Sequence, residues 1–500
     1  MEQNEIVDNA YRNGIEATRK LQAAEQKEMG QYMTPPSVAR FMSQRCIPHA
    51  HKSSLCVLDP AAGSGVLAAA AIEGLMDCDT KPKNIKLILC ELDGRMIPTL
   101  KKLANNLRNR AKLKGVSLTV SIKHGDFLLS QMALSSKAIA DVIIANPPYF
   151  KINASDERAE KHSYAVYGQP NIYGLFMAAC AKLLKRNGKW CFITPRSWTN
   201  GAYFAAMRKH LFNNLHIEAM HTFESRTEHF TDDEILQEAM ITWATTKAKS
   251  NQNVIVSSSA GLADLHNSQL NNMPLNQVID DDDDQMLILP THVNGIDLKA
   301  WGSTLENYSL KVSTGPIVAF RADKFVRLRK SKQTVPFLWM QHIKHMAVQW
   351  PIKKKREHIV ANAASAWMLV PNENMVVMRR FSPKEDERRV VAAPYIEGSL
   401  PGAVIGLENH TNYIYRPGGN VTEAEAVGLA AYLNSRVVNQ YLRAVAGNTQ
   451  INATDLRRLP LPSLDIIRYI GQSALGLSLD EIDAVVENAL ANENRERLAA

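Results

Sequence analysis

The residues with chemical potential fall in four short segments, each at the C-terminal end of an apolar run. In the fourth, Asp141-Val142-Ile143-Ile144-Ala145 runs into Asn146-Pro147-Pro148-Tyr149. The two prolines fix φ and remove two backbone donors, so the turn offers carbonyl oxygens, an asparagine side chain and an aromatic face. An acceptor-rich, donor-poor turn of this kind suits an exocyclic amino group on a flat ring. The Asn146 side-chain oxygen and the Pro147 carbonyl can each accept one amino hydrogen while Tyr149 stacks on the ring. Accepting both hydrogens draws the nitrogen from planar toward tetrahedral geometry and frees its lone pair for attack. The turn contains no strong general base. A rigid turn capped by a buried tyrosine is the plain structural alternative, and the three segments upstream weigh against it.

The first of these is Val57-Leu58-Asp59-Pro60-Ala61-Ala62-Gly63-Ser64-Gly65, a strand that ends in an acid and opens into a glycine turn before an Ala-rich helix. Small residues let a backbone approach a ligand closely, and a carboxylate at a strand tip can hold a cationic or hydroxyl group. The turn lacks full GxGxxG spacing, so by itself it is equally a tight strand-to-helix connection. The second strand, Leu87-Ile88-Leu89-Cys90, ends in Glu91, a position suited to the two hydroxyls of a ribose. The third ends in Gly125-Asp126-Phe127. Asp59, Glu91 and Asp126 then form one acidic rim at successive strand tips.

The elements that must position these residues alternate. Strands are expected at Leu55 to Leu58, Ile85 to Cys90, Ser117 to His124, Asp141 to Ala145, Lys189 to Thr194, Ile217 to Phe223 and Glu238 to Thr245. Helical patterns lie between them at Val66 to Leu75, Arg95 to Leu113, Ile172 to Lys185 and Tyr203 to Leu211. This order predicts an α/β fold, a parallel sheet with helices on both faces that binds its ligand at the carboxyl ends of the strands.

In this order the segments resemble the S-adenosylmethionine-dependent amino-methyltransferases of DNA, specifically the N6-adenine enzymes of the gamma class. The resemblance spans roughly residues 30 to 250 and implies a Rossmann-like methyltransferase sheet. Gly30-Gln31-Tyr32-Met33-Thr34-Pro35-Pro36 is similar to the family's N-terminal cofactor segment, which implies that Thr34 lies against the methionine end of the cofactor. The resemblance likewise implies that the loop with Asp59, Ala61, Gly63 and Gly65 binds S-adenosylmethionine. Glu91 would hold its ribose, and Asp126 with Phe127 its adenine. Asn146, Pro147 and Tyr149 would be the catalytic turn. Asn171-Ile172-Tyr173-Gly174-Leu175-Phe176 resembles a later segment whose phenylalanine packs on the cofactor's adenine, which assigns Phe176 there. Phe230 stands where the family places an aromatic that stacks, with Tyr149, on the flipped target base. The implied reaction is direct in-line transfer of a methyl group to the amino nitrogen, with no covalent enzyme intermediate and no metal. The substrate adenine leaves the duplex at a cost of a few kcal/mol that aromatic stacking offsets.

Past Thr246 the pattern changes to a Ser/Asn-rich stretch, a polar segment and the run Asp280 to Asp284, read as a solvated loop near a domain boundary. The expected division is a catalytic domain over residues 1–275 and a mixed α+β target-recognition domain over residues 276–500. Thr422 with Glu425 predicts a capping box for a helix through Val445, and Ser478 with Glu481 another for a terminal helix. The chain carries +8 overall, but residues 299–462 hold 23 Lys and Arg against 12 Asp and Glu, so the remainder is slightly acidic. A basic annex on a near-neutral body fits a partner that is a polyanion, here double-stranded DNA. Arg327 and Arg329, Lys353, Lys354, Lys355 and Arg356, Arg379 and Arg380, and also Arg388 and Arg389, are candidate DNA contacts.

Composition limits the alternatives. With 45% apolar and 22% charged residues over 500 positions, the chain reads as a globular protein of more than one domain. No apolar run approaches a bilayer span and the first thirty residues lack a secretory pattern, so no membrane association and a cytoplasmic location are expected. Six scattered cysteines form no CxxC pair. The Asn-Pro-Pro-Tyr turn also occurs in enzymes that methylate a protein glutamine amide or a guanine of ribosomal RNA. The segment ahead of the cofactor loop and the long basic annex favour DNA. A type I modification subunit that depends on a specificity chain shares the motifs, and a non-catalytic DNA-binding subunit could keep the fold. The annex argues for a chain that carries its own specificity, acts as a monomer, and is paired with a separate restriction endonuclease.

Overall fold

The computed structural model describes residues 5–18, 33–48, 52–135, 137–223, 239–246, 253–279 (except 260, 263 and 269), 287, 298, 301–353, 356–381, 388–445 and 451–499. The chain divides into two compact units, Met1–Ile288 and Leu289–Ala500. The division falls a little beyond the residue-275 boundary expected from the sequence. Among the described residues no helix is long and apolar enough to cross a membrane.

Unit 1 is built on one sheet of nine strands: β1 Ser54–Asp59, β2 Asn84–Glu91, β3 Ser117–His124, β4 Ala140–Ala145, β5 Leu184–Pro195, β6 Leu215–Phe223, β7 Ala239–Thr246, β8 Asn253–Ser259 and β9 Leu270–Pro274. The order across the sheet is β3-β2-β1-β4-β5-β7-β6-β8-β9. Strands β1 to β5 pair in parallel, as expected from the alternation. The parallel expectation fails at β7, which lies antiparallel between β5 and β6, and at β9, antiparallel to β8. β4 is buried at every position and β1 at all but its first, which is why both read as unbroken apolar runs. At the edge, β3 has only exposed and half-buried positions instead.

The helices of unit 1 are α1 Glu5–Thr18, α2 Pro36–Gln44, α3 Val66–Asp77, α4 Ile97–Leu113, α5 Ile172–Leu183 and α6 Ala205–Asn214, with shorter turns between. α3 is buried on nearly every face because its alanine run, Ala68 to Ala71, lets it settle close to β1 and β4. Pro36 opens α2 at the first helical position, where a missing N–H costs nothing. Val38, Ala39 and Met42 of α2 and Val7 and Ala10 of α1 join the same core. α1 approaches the glycine turn so closely that a Cβ on Gly14 would lie 2.6 Å from Ser64 Oγ. At the opposite end of the sheet Asp141 ties β4 to its neighbours, accepting from Lys52, from Lys185 and from the Cys56 N–H. Burial pushes its carboxyl up, but these three donors outweigh it and hold it below the ordinary carboxylate range.

Unit 2 is mixed α+β. A four-stranded sheet has the order β10-β20-β17-β18 (Lys311–Thr314, Thr411–Tyr415, Met375–Arg379, Ala392–Tyr395). A five-stranded sheet has the order β11-β15-β12-β19-β16 (Val326–Arg327, His358–Val360, Thr334–Leu338, Val404–Leu407, Leu369–Pro371), and β13 Ile343–Lys344 forms a hairpin with β14 Ala347–Val348. Helices α7 Glu423–Asn434, α8 Arg436–Val445, α9 Leu464–Ser473 and α10 Leu479–Ala499 close the chain. The Thr422–Glu425 capping box is present, as are reciprocal bonds between Ser478 and Glu481. The helix expected to run to Val445 is instead two helices broken at Ser435. This residue is extended, and its hydroxyl both donates to the Tyr432 carbonyl and accepts from the Val438 N–H that opens α8.

Candidate active site

A cavity of about 460 Å3 opens beyond the carboxyl ends of β1, β2 and β4. Gly63, Glu91, Asp126, Phe127, Asn146 and Phe176 share its wall. A parallel sheet explains the convergence: every strand delivers its last residue to the same edge, and the residues that follow form the rim.

Glu91 is fixed at the tip of β2 by two backbone donors. Its Oε2 accepts from the Gly63 N–H at 2.6 Å and its Oε1 from the Asp93 N–H at 2.7 Å. Burial pushes its pKa up, and these N–H groups pull the other way. The carboxylate lines the cavity. Gly63 itself has φ of +53°, and a Cβ there would meet nothing nearer than Met33 Sδ at 4.0 Å, so its glycine serves the backbone turn. Gly65, at φ +84°, has a second constraint, because a Cβ would lie 2.3 Å from Leu103 on α4. It is a packing glycine and does not line the cavity. Ala61 lines it, whereas Asp59 does not. Asp59 is 1% exposed and accepts the Ala61 N–H at 3.2 Å. Burial, reinforced by the charge of Glu91 against the pull of the Ala61 N–H, pushes its pKa up to about 8.

Asp126 caps the turn after β3 by accepting the Leu128 N–H at 2.9 Å. Its other oxygen lies 3.8 Å from Arg158, whose guanidinium also pairs with Asp156 at 2.6 Å. Phe127 and Phe176 stack on one another with centroids 5.4 Å apart and an interplanar angle of 25°. They give the cavity an aromatic wall beside the carboxylate of Asp126.

At the end of β4 the side chain of Asn146 is half-buried. Its Nδ2 donates to Thr34 Oγ1 at 3.0 Å, and its Oδ1 accepts from the Tyr149 hydroxyl. That hydroxyl also lies 3.0 Å from the Ile193 carbonyl, so a strand neighbour anchors the turn. The ring of Tyr149 meets Tyr173 edge-on at 6.0 Å. Pro147 is buried, and Pro148 and Phe150 face the cavity. Thr34, 4% exposed, therefore touches the amide of Asn146 as well as lining the cavity. Neither that bond nor the presence of Arg158 was foreseen from the sequence. The Thr34–Asn146 bond joins residues 112 positions apart, and Arg158 sits on a short turn with no periodic signal. Phe230 lies outside the described residues.

The candidate DNA contacts of unit 2 separate into two kinds. Arg327, Arg329 and Lys353 are exposed, and Arg356 is half-buried and paired with Asp323 at 2.5 Å. Lys354 and Lys355 lie outside the described residues. The expectation for Arg388 and Arg389 needs correction, whereas Arg379 and Arg380 are half-buried. Arg379 donates through Nε to the Ile343 carbonyl, and Arg380 donates to the Asn409 carbonyl. Arg388 donates to both Asp483 oxygens and to the Asn434 carbonyl, and Arg389 is 1% exposed. Arg388 ties its segment to the helices of Asn434 and Asp483, and a guanidinium buried in this way must spend its donors on carbonyls and carboxylates.

Comparison with known proteins agrees with this geometry. Residues 84–230 match the family model described as Eco57I restriction-modification methylase. The chain is 31% identical over 485 residues to the type II methyltransferase M.BsuBI of Bacillus subtilis, covering 93% of this chain and 95% of that one. It is 29% identical over 488 residues to the type II methyltransferase M.PstI of Providencia stuartii, covering 95% of each. The fold is similar to that of the type IIL restriction-modification enzyme MmeI, with a TM-score of 0.52 at 13% identity over 98% of this chain and 73% of that one. A strand-end acidic rim, an Asn-Pro-Pro-Tyr turn and end-to-end similarity to two such enzymes lead to one assignment: the chain belongs to the type II methyltransferases of restriction-modification systems.

Proposed function

We propose that the protein transfers a methyl group from S-adenosylmethionine to the N6 amino group of an adenine flipped out of double-stranded DNA. In this reading it is a monomeric modification enzyme that protects the sites cut by a separate restriction endonuclease. The observation that carries the reading is the placement of Asn146 on the wall of the same cavity as Glu91, Asp126, Phe127 and Phe176.

The donor and acceptor set fits the cofactor. Glu91 is a carboxylate on the cavity wall that can accept from a ribose hydroxyl, Asp126 accepts from an adenine amino group, and the Phe127–Phe176 wall offers a ring face. The open space at Gly63 lets backbone approach a ligand. Bound there, S-adenosylmethionine supplies an electrophilic methyl group on a sulfonium. The remaining work falls to the chain. Asn146 Oδ1 and the Pro147 carbonyl accept the amino hydrogens of the target base, which directs the nitrogen lone pair toward the methyl group. Thr34 and Tyr149 hold the Asn146 amide by its two ends, so its orientation is set before substrate arrives. Tyr149, joined by Phe230, would stack on the flipped base and offset part of the unstacking cost.

The test is to incubate the purified chain with S-adenosylmethionine and unmethylated genomic DNA, digest to nucleosides and identify the modified base by mass. N6-methyladenine is expected, with the modification lost in Asn146→Ala while cofactor binding persists. N4-methylcytosine would retain the turn chemistry and correct the base. No modified base from a protein that binds the cofactor would overturn the reading.

A further inference from the structure

Unit 2 presents a strip from Phe320 to Lys332 on which Arg321, Lys324, Arg327, Arg329, Lys330 and Lys332 are all exposed. The one acid in the strip, Asp323, is paired with Arg356 at 2.5 Å. That pair sets Arg356 beside the strip. The strip's backbone is held as well: Val326 and Arg327 pair with Ile359 and His358, and the Val360 N–H donates to the Phe325 carbonyl at 3.0 Å.

Arg356 is held from inside the unit by its neighbours. The Ile352 N–H donates to Glu357 Oε1 at 2.8 Å, the same oxygen lies 3.0 Å from Nε2 of the fully buried His342, and Trp339 Nε1 donates to the Arg356 carbonyl at 2.8 Å. A buried carboxylate and a buried imidazole are a demanding way to support Arg356, since both must be desolvated. Lys353, nearby in sequence, is exposed.

Solvation accounts for arginines and lysines on a surface. It does not account for Phe320, 77% exposed, and Leu328, 67% exposed, standing among them. The Arg321 guanidinium sits 5.5 Å from the Phe320 ring centroid, so the ring and the cation are presented as one unit. Cations with interleaved large apolar side chains match a nucleic-acid duplex. Phosphates take the charges, and base edges, thymine methyls or unstacked base steps take the apolar groups.

We propose that the Phe320–Lys332 strip, with Arg356 paired to it through Asp323, is the surface of unit 2 that reads duplex DNA, with Phe320 and Leu328 packed against it. The proposal rests on the reading of the chain as a DNA methyltransferase.

Two variants of the full-length protein test it by methyl transfer into plasmid DNA across a salt series. In Arg327→Ala/Arg329→Ala/Lys330→Ala, the KM for DNA rises at least about tenfold and the slope of log KM against log salt falls by about three, one for each phosphate no longer neutralised. In Phe320→Ala/Leu328→Ala, KM rises several-fold with the salt slope unchanged. Cofactor affinity and melting midpoint stay at the wild-type values in both. Lys83→Ala/Lys101→Ala/Lys112→Ala, which removes three exposed cations of unit 1, stays within about twofold of wild type and controls for net charge. KM and salt slope within twofold of wild type for both strip variants, in a protein that methylates DNA, would overturn the proposal. Failure of the wild-type protein to methylate any duplex would instead remove the reading beneath it.

Discussion

Asp59 occupies the least favourable surroundings of any carboxylate near the cavity: it is 1% exposed, accepts one backbone N–H, and lies close to Glu91. Its pKa is pushed up to about 8 by burial, against 3.8 for the free side chain. Between those two values the folded protein holds a proton that the unfolded chain has released. Stability therefore falls as pH rises from about 4 to 8, and levels off above the folded value. An asparagine carries no charge to penalise. In calorimetric scans of the cofactor-free protein, the melting midpoint of Asp59→Asn should gain on wild type as pH rises from 4 to 8. Parallel midpoint curves for the two proteins across that interval would exclude it. The same residue marks the limit of what sequence conveys about a site. Glu91, Asp126, Phe127, Asn146 and Phe176 were legible because each stands at a strand end or in a contiguous motif, and all five line the cavity. Asp59 occupies an equivalent strand end, yet its carboxyl turns beneath the loop it precedes. Thr34 was expected beside the cofactor and lines the cavity, but its bond to Asn146 is set by tertiary structure that no local pattern records.

At the scale of elements, α7 and α9 cross backbone against backbone at two glycines. A Cβ on Gly428 would lie 1.9 Å from the Ile467 carbonyl oxygen, and one on Gly471 would lie 1.9 Å from that of Ala424. Both obstacles are backbone, so neither helix can relieve the overlap by a rotamer change. Alanine would ordinarily stabilise a helix interior by about 1 kcal/mol relative to glycine. Here the crossing must open, and Gly428→Ala or Gly471→Ala should lower stability by about 3 kcal/mol, within the range of severe overpacking. Urea unfolding measures this directly, and a stabilised alanine variant would show that the helices do not touch there. The central strands were legible because burial on both faces leaves no choice but apolar side chains. β8 and β9 were not, since their Ser and Asn residues carry the composition of a loop while continuing the sheet at its edge. The Gly428–Gly471 crossing went unread for a related reason: two isolated glycines acquire meaning only when the helices that hold them are brought together.

For the molecule as a whole, the division of charge separates the two binding events. Residues 299–462 carry 23 basic against 12 acidic side chains, whereas the cavity of unit 1 has an acidic rim of Glu91, Asp93 and Asp126. Unit 2 as a whole carries 26 basic against 20 acidic side chains; on the proposed function, duplex DNA binding to its basic stretch displaces counterions condensed on the phosphates, and each displaced ion adds to the dependence on salt. Binding of a cofactor in a concave site held by short hydrogen bonds displaces few ions, and charges in such a site are screened little. With about six phosphates neutralised, DNA affinity should fall roughly a thousandfold between 50 and 200 mM salt. Cofactor affinity should move by less than about twofold over the same interval. Anisotropy titrations with a labelled duplex, set beside calorimetric titrations with S-adenosylmethionine in matched buffers, give both slopes. A DNA slope below about two would mean that the basic unit is a solvated surface rather than a phosphate-binding one. An equally steep slope for the cofactor would place a mobile-ion atmosphere at the cavity that its acidic, half-enclosed wall does not support.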